Sequence, residues 1–325
     1  MQRARAWAPR ALFLAVAAAF VQPALAQSFP SKPLKLIVPY GPTGLPDALA
    51  RLTAQKTSEG LGQPIVIENK AGASGIIGAQ QAAKSPADGY TLFLTDNNMY
   101  AINPAVYPDL PYNPTRDFTP ITQAIQGHMF LVASPDAGAG SLKDLIAQAK
   151  ARPGMMYGSP GNATLHHLGM EQLKLVADVQ MTHVPYKGVA QATPALLAGD
   201  VAVMFAALAS VVSHAKAGKL RILAVGSSQR SALMPDVPTV AEAGYPGFEV
   251  GTSMGFAAPA GTPRPVIERL NGEMVKALKS AEVQAKMPAL GVEVVANTPE
   301  QFAEQIRRDQ EHYSRLVKRI GLKVE

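Results

Sequence analysis

Leu34-Lys-Leu-Ile-Val-Pro-Tyr-Gly-Pro-Thr-Gly-Leu-Pro-Asp-Ala-Leu-Ala-Arg51 joins a short apolar run to a glycine- and proline-rich loop and then to the start of a helix. Leu36, Ile37 and Val38 have the composition of a buried strand, and Pro39 ends the run because it has no amide to extend a ladder. Gly41 and Gly44 admit backbone conformations closed to other residues. Pro46 fits the first turn of the helix that follows, where a missing N–H costs little, and Asp47 complements the positive end of the helix dipole. A strand that feeds a glycine loop into a helix N-terminus aims backbone amides at one point, an arrangement suited to an anion.

Upstream, the first 26 residues contain Arg3, Arg5 and Arg10, an apolar run over 11–21, and Ala24-Leu25-Ala26 before Gln27. This reads as a removable secretory leader, and the mature chain is expected to begin at Gln27. The apolar run is shorter than the roughly 18 residues that spanning a bilayer needs. Cysteine is absent, so neither disulfides nor thiol chemistry is available. The chain has 30 basic and 24 acidic residues, and three of the basic ones lie in the leader. So mild and dispersed a balance speaks against a nucleic-acid partner. Proline is enriched, at 27 residues, which suits many short and well-defined loops.

Strand-like and helical patterns alternate along the rest of the chain. Strands are expected over 34–39, 65–68 and 91–95, with helices over 46–61 and 76–84 between them. A second set follows: strands over 129–134, 155–158, 181–184, 201–205, 222–226 and 254–257, and helices over 142–151, 165–177 and 190–198. Two further helices, over 265–279 and 299–321, close the chain. Alternation of this kind predicts an α/β fold with mostly parallel strands and helices on both faces. The length favours two lobes. Lobe one is expected to comprise 27–128 and 228–325, and lobe two, inserted into it, 129–227. A ligand cleft then lies between the lobes at the C-terminal ends of the strands.

Five loops fall at that edge: Tyr40 to Asp47; Glu68 to Gly78; Thr95-Asp96-Asn97-Asn98; Tyr157 to His167; and Val184 to Gly188. Each also serves simply to turn a strand into a helix, but five at one edge point to convergent amides, hydroxyls and Asn side chains around a small anion. No loop has the spacing of a nucleotide-binding motif. His166 and His167 are adjacent and diverge by about 100° on a helix, so they do not form a metal pair. Ser159 lies in Gly158-Ser159-Pro160-Gly161, which lacks the Gly-x-Ser-x-Gly elbow and suits a hydroxyl donor better than a nucleophile. A serine hydrolase using Ser159 with His167 or His183 is the enzymatic alternative. No metal or cofactor is expected.

Taken together, these segments resemble the Bug-type extracytoplasmic receptors of the tripartite tricarboxylate transporter family. The resemblance rests on Leu36-Ile37-Val38-Pro39-Tyr40, on Gly62-Gln63-Pro64-Ile65-Val66-Ile67-Glu68-Asn69-Lys70-Ala71-Gly72-Ala73-Ser74-Gly75, and on Asp88-Gly89-Tyr90-Thr91-Leu92. It extends through Ala101-Ile102-Asn103-Pro104, Asp117-Phe118-Thr119-Pro120, His183-Val184-Pro185-Tyr186-Lys187-Gly188 and Pro235-Asp236-Val237-Pro238-Thr239. It implies a two-lobed type II periplasmic-binding-protein fold, with mixed sheets flanked by helices, that closes on a small organic carboxylate. It also implies a monomer in the periplasm with a membrane permease as partner, or a sensor histidine kinase in the signalling alternative. By the same resemblance, Tyr40, Gly41, Thr43, Asp47, Ala73 and Ser74 hold the carboxylate from lobe one, and Ser159, Thr164, His167 and Tyr186 face it from lobe two. Asn97, on the third loop, completes the expected site.

Two departures from the family pattern stand out. Gly44-Leu45-Pro46 adds bulk and removes an amide where the family commonly has a Gly-Gly or Gly-Pro-Thr-Asp turn. Ala206-Ala207 follows Val203-Met204-Phe205 where an Asp is frequent, which disfavours an amino-acid ligand and leaves the distal end of the cleft more apolar.

Overall fold

The opening stretch forms strand β1 (Leu34–Val38) and helix α1 (Leu45–Leu61) in the computed structural model, which describes residues 29–42 and 44–322. The expected leader and Thr43 lie outside the described residues. Chain order continues with β2 (Ile65–Asn69), α2 (Ile76–Ala83), β3 (Thr91–Asp96), and a helical stretch, Asn98–Ile102, running on into α3 (Asn103–Val106). Next come β4 (Phe118–Ala133), α4 (Leu142–Ala151), β5 (Met155–Ser159), α5 (Leu165–Ala177), β6 (Met181–Pro185) and α6 (Val189–Ala198). After these follow β7 (Val203–Ala207), α7 (Leu208–Lys216), β8 (Arg221–Val225), β9 (Gly251–Pro259), α8 (Arg264–Leu278), α9 (Ala281–Lys286), β10 (Val292–Val294) and α10 (Pro299–Ile320).

The strands pair in the order β2-β1-β3-β9-β4-β7-β5-β6, with β8 and β10 also on β4. β1 runs parallel to β2 and β3, and β5 runs parallel to β6 and β7. β9 and β4 are antiparallel to their neighbours and carry the chain between these two parallel sets. The expected mixed α/β architecture is therefore present.

The sequence reading starts the central strand only at Met129, because 118–128 contains Pro120, Gly127 and several polar side chains. The structure extends β4 back to Phe118. β9 on one side and β10 on the other complete the ladder there, and register shifts beside Thr122 and Ile125 absorb the irregular residues, Pro120 among them. Four further elements escape the sequence patterns: the helical stretch after β3 that runs into α3, then α7, α9, and β10 between the last two helices.

Alternation along β1 sets the first core. Leu34, Leu36 and Val38 pack with Leu49 and Ala50 of α1 and with Leu270 and Met274 of α8. Ile37 points to the other face, onto Ala79 and Ala82 of α2. The same period continues in β4. Met129, Leu131 and Ala133 face α4 and α5, whereas Phe130 and Val132 face α6 and α7. Helix α10 serves both halves. Phe302, near its start, packs edge-on against Tyr100, while Leu316 and Val317, near its end, join the cluster that contains Leu168 and Leu173 of α5.

β4 changes partners between His128, opposite Gly251 of β9, and Met129, opposite Ala207 of β7. Backbones crowd at this crossing. The Gly226 amide donates to Met129 O at 2.7 Å, and Gly226 O accepts from Val250 N at 2.8 Å. A Cβ on Gly226 would lie 2.8 Å from Val250 O, and one on Gly251 would lie 2.9 Å from Gly127 O. Carbonyls fixed in ladders cannot move aside as a flexible side chain can. Gly226→Ala is therefore expected to destabilise the fold by about 1–3 kcal/mol. Gly272→Ala, on the exposed face of α8 with nothing near the added methyl, is expected to stabilise it by roughly 0.5–1 kcal/mol. Thermal unfolding followed by circular dichroism reads both, and equal melting temperatures would refute the steric account.

Candidate functional site

Parallel pairing gives β1, β2 and β3 a common C-terminal edge, and gives β5, β6 and β7 another. Asp96, at the end of β3, is in register with Met254 of β9, and Ala207, at the end of β7, is in register with Met129 of β4. Both edges thus end near the crossing.

Two features make the first edge rich in backbone donors. Helix α1 begins behind Gly44 with no side chain capping it, and Pro46 sits in its first turn. The loop after β2 holds four successive residues at positive φ: Gly72 (132°), Ala73 (47°), Ser74 (53°) and Gly75 (85°). For Ala73 and Ser74 this conformation costs about 1–2 kcal/mol each. The strained loop leads into α2, whose first amides have no acceptor within the helix.

Side chains lock these loops together. Asn69 Nδ2 donates to Tyr40 O at 3.0 Å and to Asp47 Oδ1 at 2.9 Å. Arg51 Nε reaches Asp47 Oδ2 at 2.9 Å. Asp47 is thus bonded to the side chains of Asn69 and Arg51. Asn103 Nδ2 donates to Ser74 O at 3.1 Å, which holds the left-handed turn. The Tyr40 hydroxyl donates to Asp96 Oδ2, and Asp96 Oδ1 accepts from the amides of Asn98 and Met99 at 3.0 and 3.2 Å. Asp96 is only 2 % exposed, and burial pushes its carboxyl up to about 6 despite these donors. Asn97 Nδ2 is engaged by Gly251 O at 2.8 Å, so this side chain ties the third loop to the crossing.

The second edge is built on a stack of rings. His183 lies 3.9 Å from His167 and 4.9 Å from Tyr157, centroid to centroid. His183 Nε2 is 2.6 Å from Ser159 Oγ. That oxygen also donates to Gly161 O at 2.9 Å, so His183 supplies the proton of the shorter bond. His167 Nδ1 accepts from Ala163 N at 3.1 Å, and Thr164 Oγ1 caps α5 by accepting from His167 N. Tyr186 is partly exposed, and its amide donates to Ser159 O at 2.9 Å.

Two connected groups result. Tyr40, Asp47, Ser74 and Asn97 belong to the first edge; Ser159, Thr164, His167 and Tyr186 belong to the second. Gly41 and Ala73 are exposed on their loops. Ser159 and His167 are buried and support the loop from behind, whereas Thr164 and Tyr186 stay partly exposed. Asn69, Asp96, Asn103 and His183 organise the loops, yet the sequence gives them no role beyond position. Only Asp96 left a signal, since an Asp two residues before a helical run is a familiar cap.

Asn69→Ala is expected to cost about 1–2 kcal/mol, and hydrogen exchange should accelerate over 40–44 and 70–75 but not over 159–164. Uniform acceleration would contradict the local link. Burial first and His167 second lower the His183 imidazole to about 4 from its ordinary 6.5. The unfolded chain therefore takes up this proton first, so the contribution of His183 is complete above about pH 6.5 and is lost as pH falls toward 4. The gap in melting temperature between wild type and His183→Gln should narrow between pH 7 and 5, and a constant gap would contradict this.

Comparison with known proteins bears directly on these loops. The description "Tripartite tricarboxylate transporter family receptor" matches residues 49–322. Protein BugT of Bordetella pertussis is 36% identical over 327 residues, covering 100% of both chains. Among solved structures, R. palustris Rpa4515 with adipate is 33% identical with a TM-score of 0.79, covering 91% of this chain and 100% of its own. The periplasmic binding protein BugD is 32% identical with a TM-score of 0.75, at the same coverage. With the hydrolase alternative thereby set aside, the chain belongs to the tripartite tricarboxylate transporter family of receptors, periplasmic solute-binding proteins and not enzymes.

Proposed function

We propose that this receptor captures a small organic carboxylate by closing two lobes, 27–128 with 228–325 and 129–227, and delivers it to a membrane permease after export by the leader at 1–26. The observation that carries this reading is the state of the helix N-termini. α1, α2, α6 and α7 all start at the C-terminal strand edges behind Gly44, Gly75, Gly188 and Ala207, none of which supplies a side-chain cap. Helices that start elsewhere, α4, α9 and α10, are capped by Ser141, Ser280 and Thr298. Helix α8 also lacks a side-chain cap, but it follows the far end of β9. Helix starts without a side-chain cap, and their dipoles, favour an anion between the two halves.

In this reading Tyr40, Gly41, Thr43, Asp47, Ala73 and Ser74 frame the carboxylate from lobe one, and Thr164 and Tyr186 meet it from lobe two. Asn97, Ser159 and His167 keep their loops in place from behind. Ala206 and Ala207 leave the far wall small and uncharged, which suits an acid without an ammonium group. The adipate held by Rpa4515 is of this class.

Protein stripped of ligand by refolding, titrated calorimetrically with dicarboxylates from succinate to suberate, should bind at least one saturably. Ligand at 100 times its dissociation constant should add about 2.7 kcal/mol to unfolding. Silence across the series would refute a carboxylate receptor, and binding confined to amino acids would refute the reading of Ala206-Ala207.

A further inference from the structure

Helix α10 and the crossing at His128 border a cavity of about 540 Å³, the size of a small-molecule site. Its lining comes from β4, β9, β10 and α10, and from both ends of the segment joining β8 to β9, at Ser227–Arg230 and at Gly247 and Glu249. None of the five loops at the strand edges takes part. Val250 is the only aliphatic side chain of the lining, so the cavity does not suit an apolar molecule.

Six buried side-chain nitrogen or oxygen atoms among the described residues have no hydrogen-bond partner. Three of them, His128 Nε2, Glu293 Oε1 and His312 Nε2, belong to residues that line this cavity. His128 is only 9 % exposed, and its Nε2 lies 3.1 Å from Glu293 Oε1 without the alignment of a hydrogen bond. Folded proteins satisfy nearly all such atoms, so three around one cavity mark a place that another molecule completes. Its charges lean toward acid. Glu249, Glu293 and Asp309 stand against Arg230 and Arg308, and Arg230 is held at 2.9 Å by Glu242, outside the lining. Glu249 makes no hydrogen bond or ion pair among the described residues. Burial first, with the Glu249 charge among the further causes, raises the Asp309 carboxyl to about 6, still ionised at pH 7.5. Burial also lowers the His312 imidazole, so the ring is neutral there and can offer the lone pair of Nε2.

We propose that this cavity is a second binding site, apart from the loops at the strand edges, for a small organic cation carrying a primary ammonium group. An ammonium only donates, and here Glu249, Glu293 and the His312 ring accept. Asp309, whose oxygens already take the Tyr100 hydroxyl and the Gln305 amide, adds negative charge beside them. A carboxylate would meet the same three acids and be repelled. The site is independent of the carboxylate reading.

The test is calorimetry at pH 7.5 with 1,4-diaminobutane and with 1,4-butanediol, its uncharged counterpart of equal length. Wild type should bind the diamine saturably and the diol at least about tenfold more weakly. Glu249→Gln and Glu293→Gln should each weaken the diamine about tenfold. Glu304→Gln, on α10 but outside the lining, should leave it unchanged. Glu249 is exposed and bonded to nothing, so Glu249→Gln should keep the wild-type melting temperature without diamine, and it decides alone should Glu293→Gln fail to fold. Absence of diamine binding, or equal affinity for the diol, overturns the inference. Unchanged affinity in Glu249→Gln, or an equal loss in Glu304→Gln, overturns it as well, because the attraction would then belong to the surface at large. Each of these failures leaves the carboxylate reading standing, since the dicarboxylate series tests that separately.

Discussion

At His128 and Met129 the backbone of β4 passes from one set of neighbours to the other, and the peptides beside it approach more closely than a Cβ permits. Gly226 and Gly251 make that approach possible. Because β3 and β7 both end at this point, the glycine crossing decides that the loops after them face each other. It also leaves few backbone connections between the two parallel sets. β4 and the segment that joins β8 to β9 carry the chain between the sets, and α10 packs across both.

The helix starts at the two strand edges differ from most of the others in how they are capped. Away from the edges, Ser141, Ser280 and Thr298 cap α4, α9 and α10, and α8 behind Pro263 is uncapped; at the edges, a glycine or alanine before α1, α2, α6 and α7 offers no side-chain cap. Helix α5 departs from the pattern, since Thr164 caps it while lying at the same edge. Strain follows the same division. The left-handed Ala73 and Ser74 would relax if nothing held them, and Asn103, bonded to Ser74 O, supplies part of the restraint. An uncapped helix end and a strained turn each reduce stability. Their joint presence at one edge indicates a site selected for what it presents to solvent.

Most of the fold was legible in the sequence because its strands and helices have short, unambiguous periods. β1, α1, α4 and α5 fall within a residue or so of the expected bounds. The first half of β4 was not legible, because its strand character comes from pairing on both sides and not from Phe118 to His128 themselves. α7 was missed because it starts directly after β7 with no turn residue to mark the change. At the site, the glycine loops were legible and the bonds that organise them were not. Tyr40 and Asp96 are 56 residues apart, and Asn69 and Asp47 are 22 apart. No local pattern encodes a meeting at that distance. Ser159 and His167 show the converse problem. Their residue types suggest contact with a ligand, yet burial directs both into the loop's own support.

Backbone cradles recognise a carboxylate without recording which one, since every residue carries the same amide. Specificity has to enter through the side chains that face the remainder of the ligand, and here they are few. Ala206 and Ala207 remove charge from the second edge, while Asp96 adds one beneath the first. A buried carboxylate whose oxygens are all occupied does not attract a ligand cation directly. It holds its neighbours instead, accepting from the Tyr40 hydroxyl and from the amides of Asn98 and Met99 without exposing the charge.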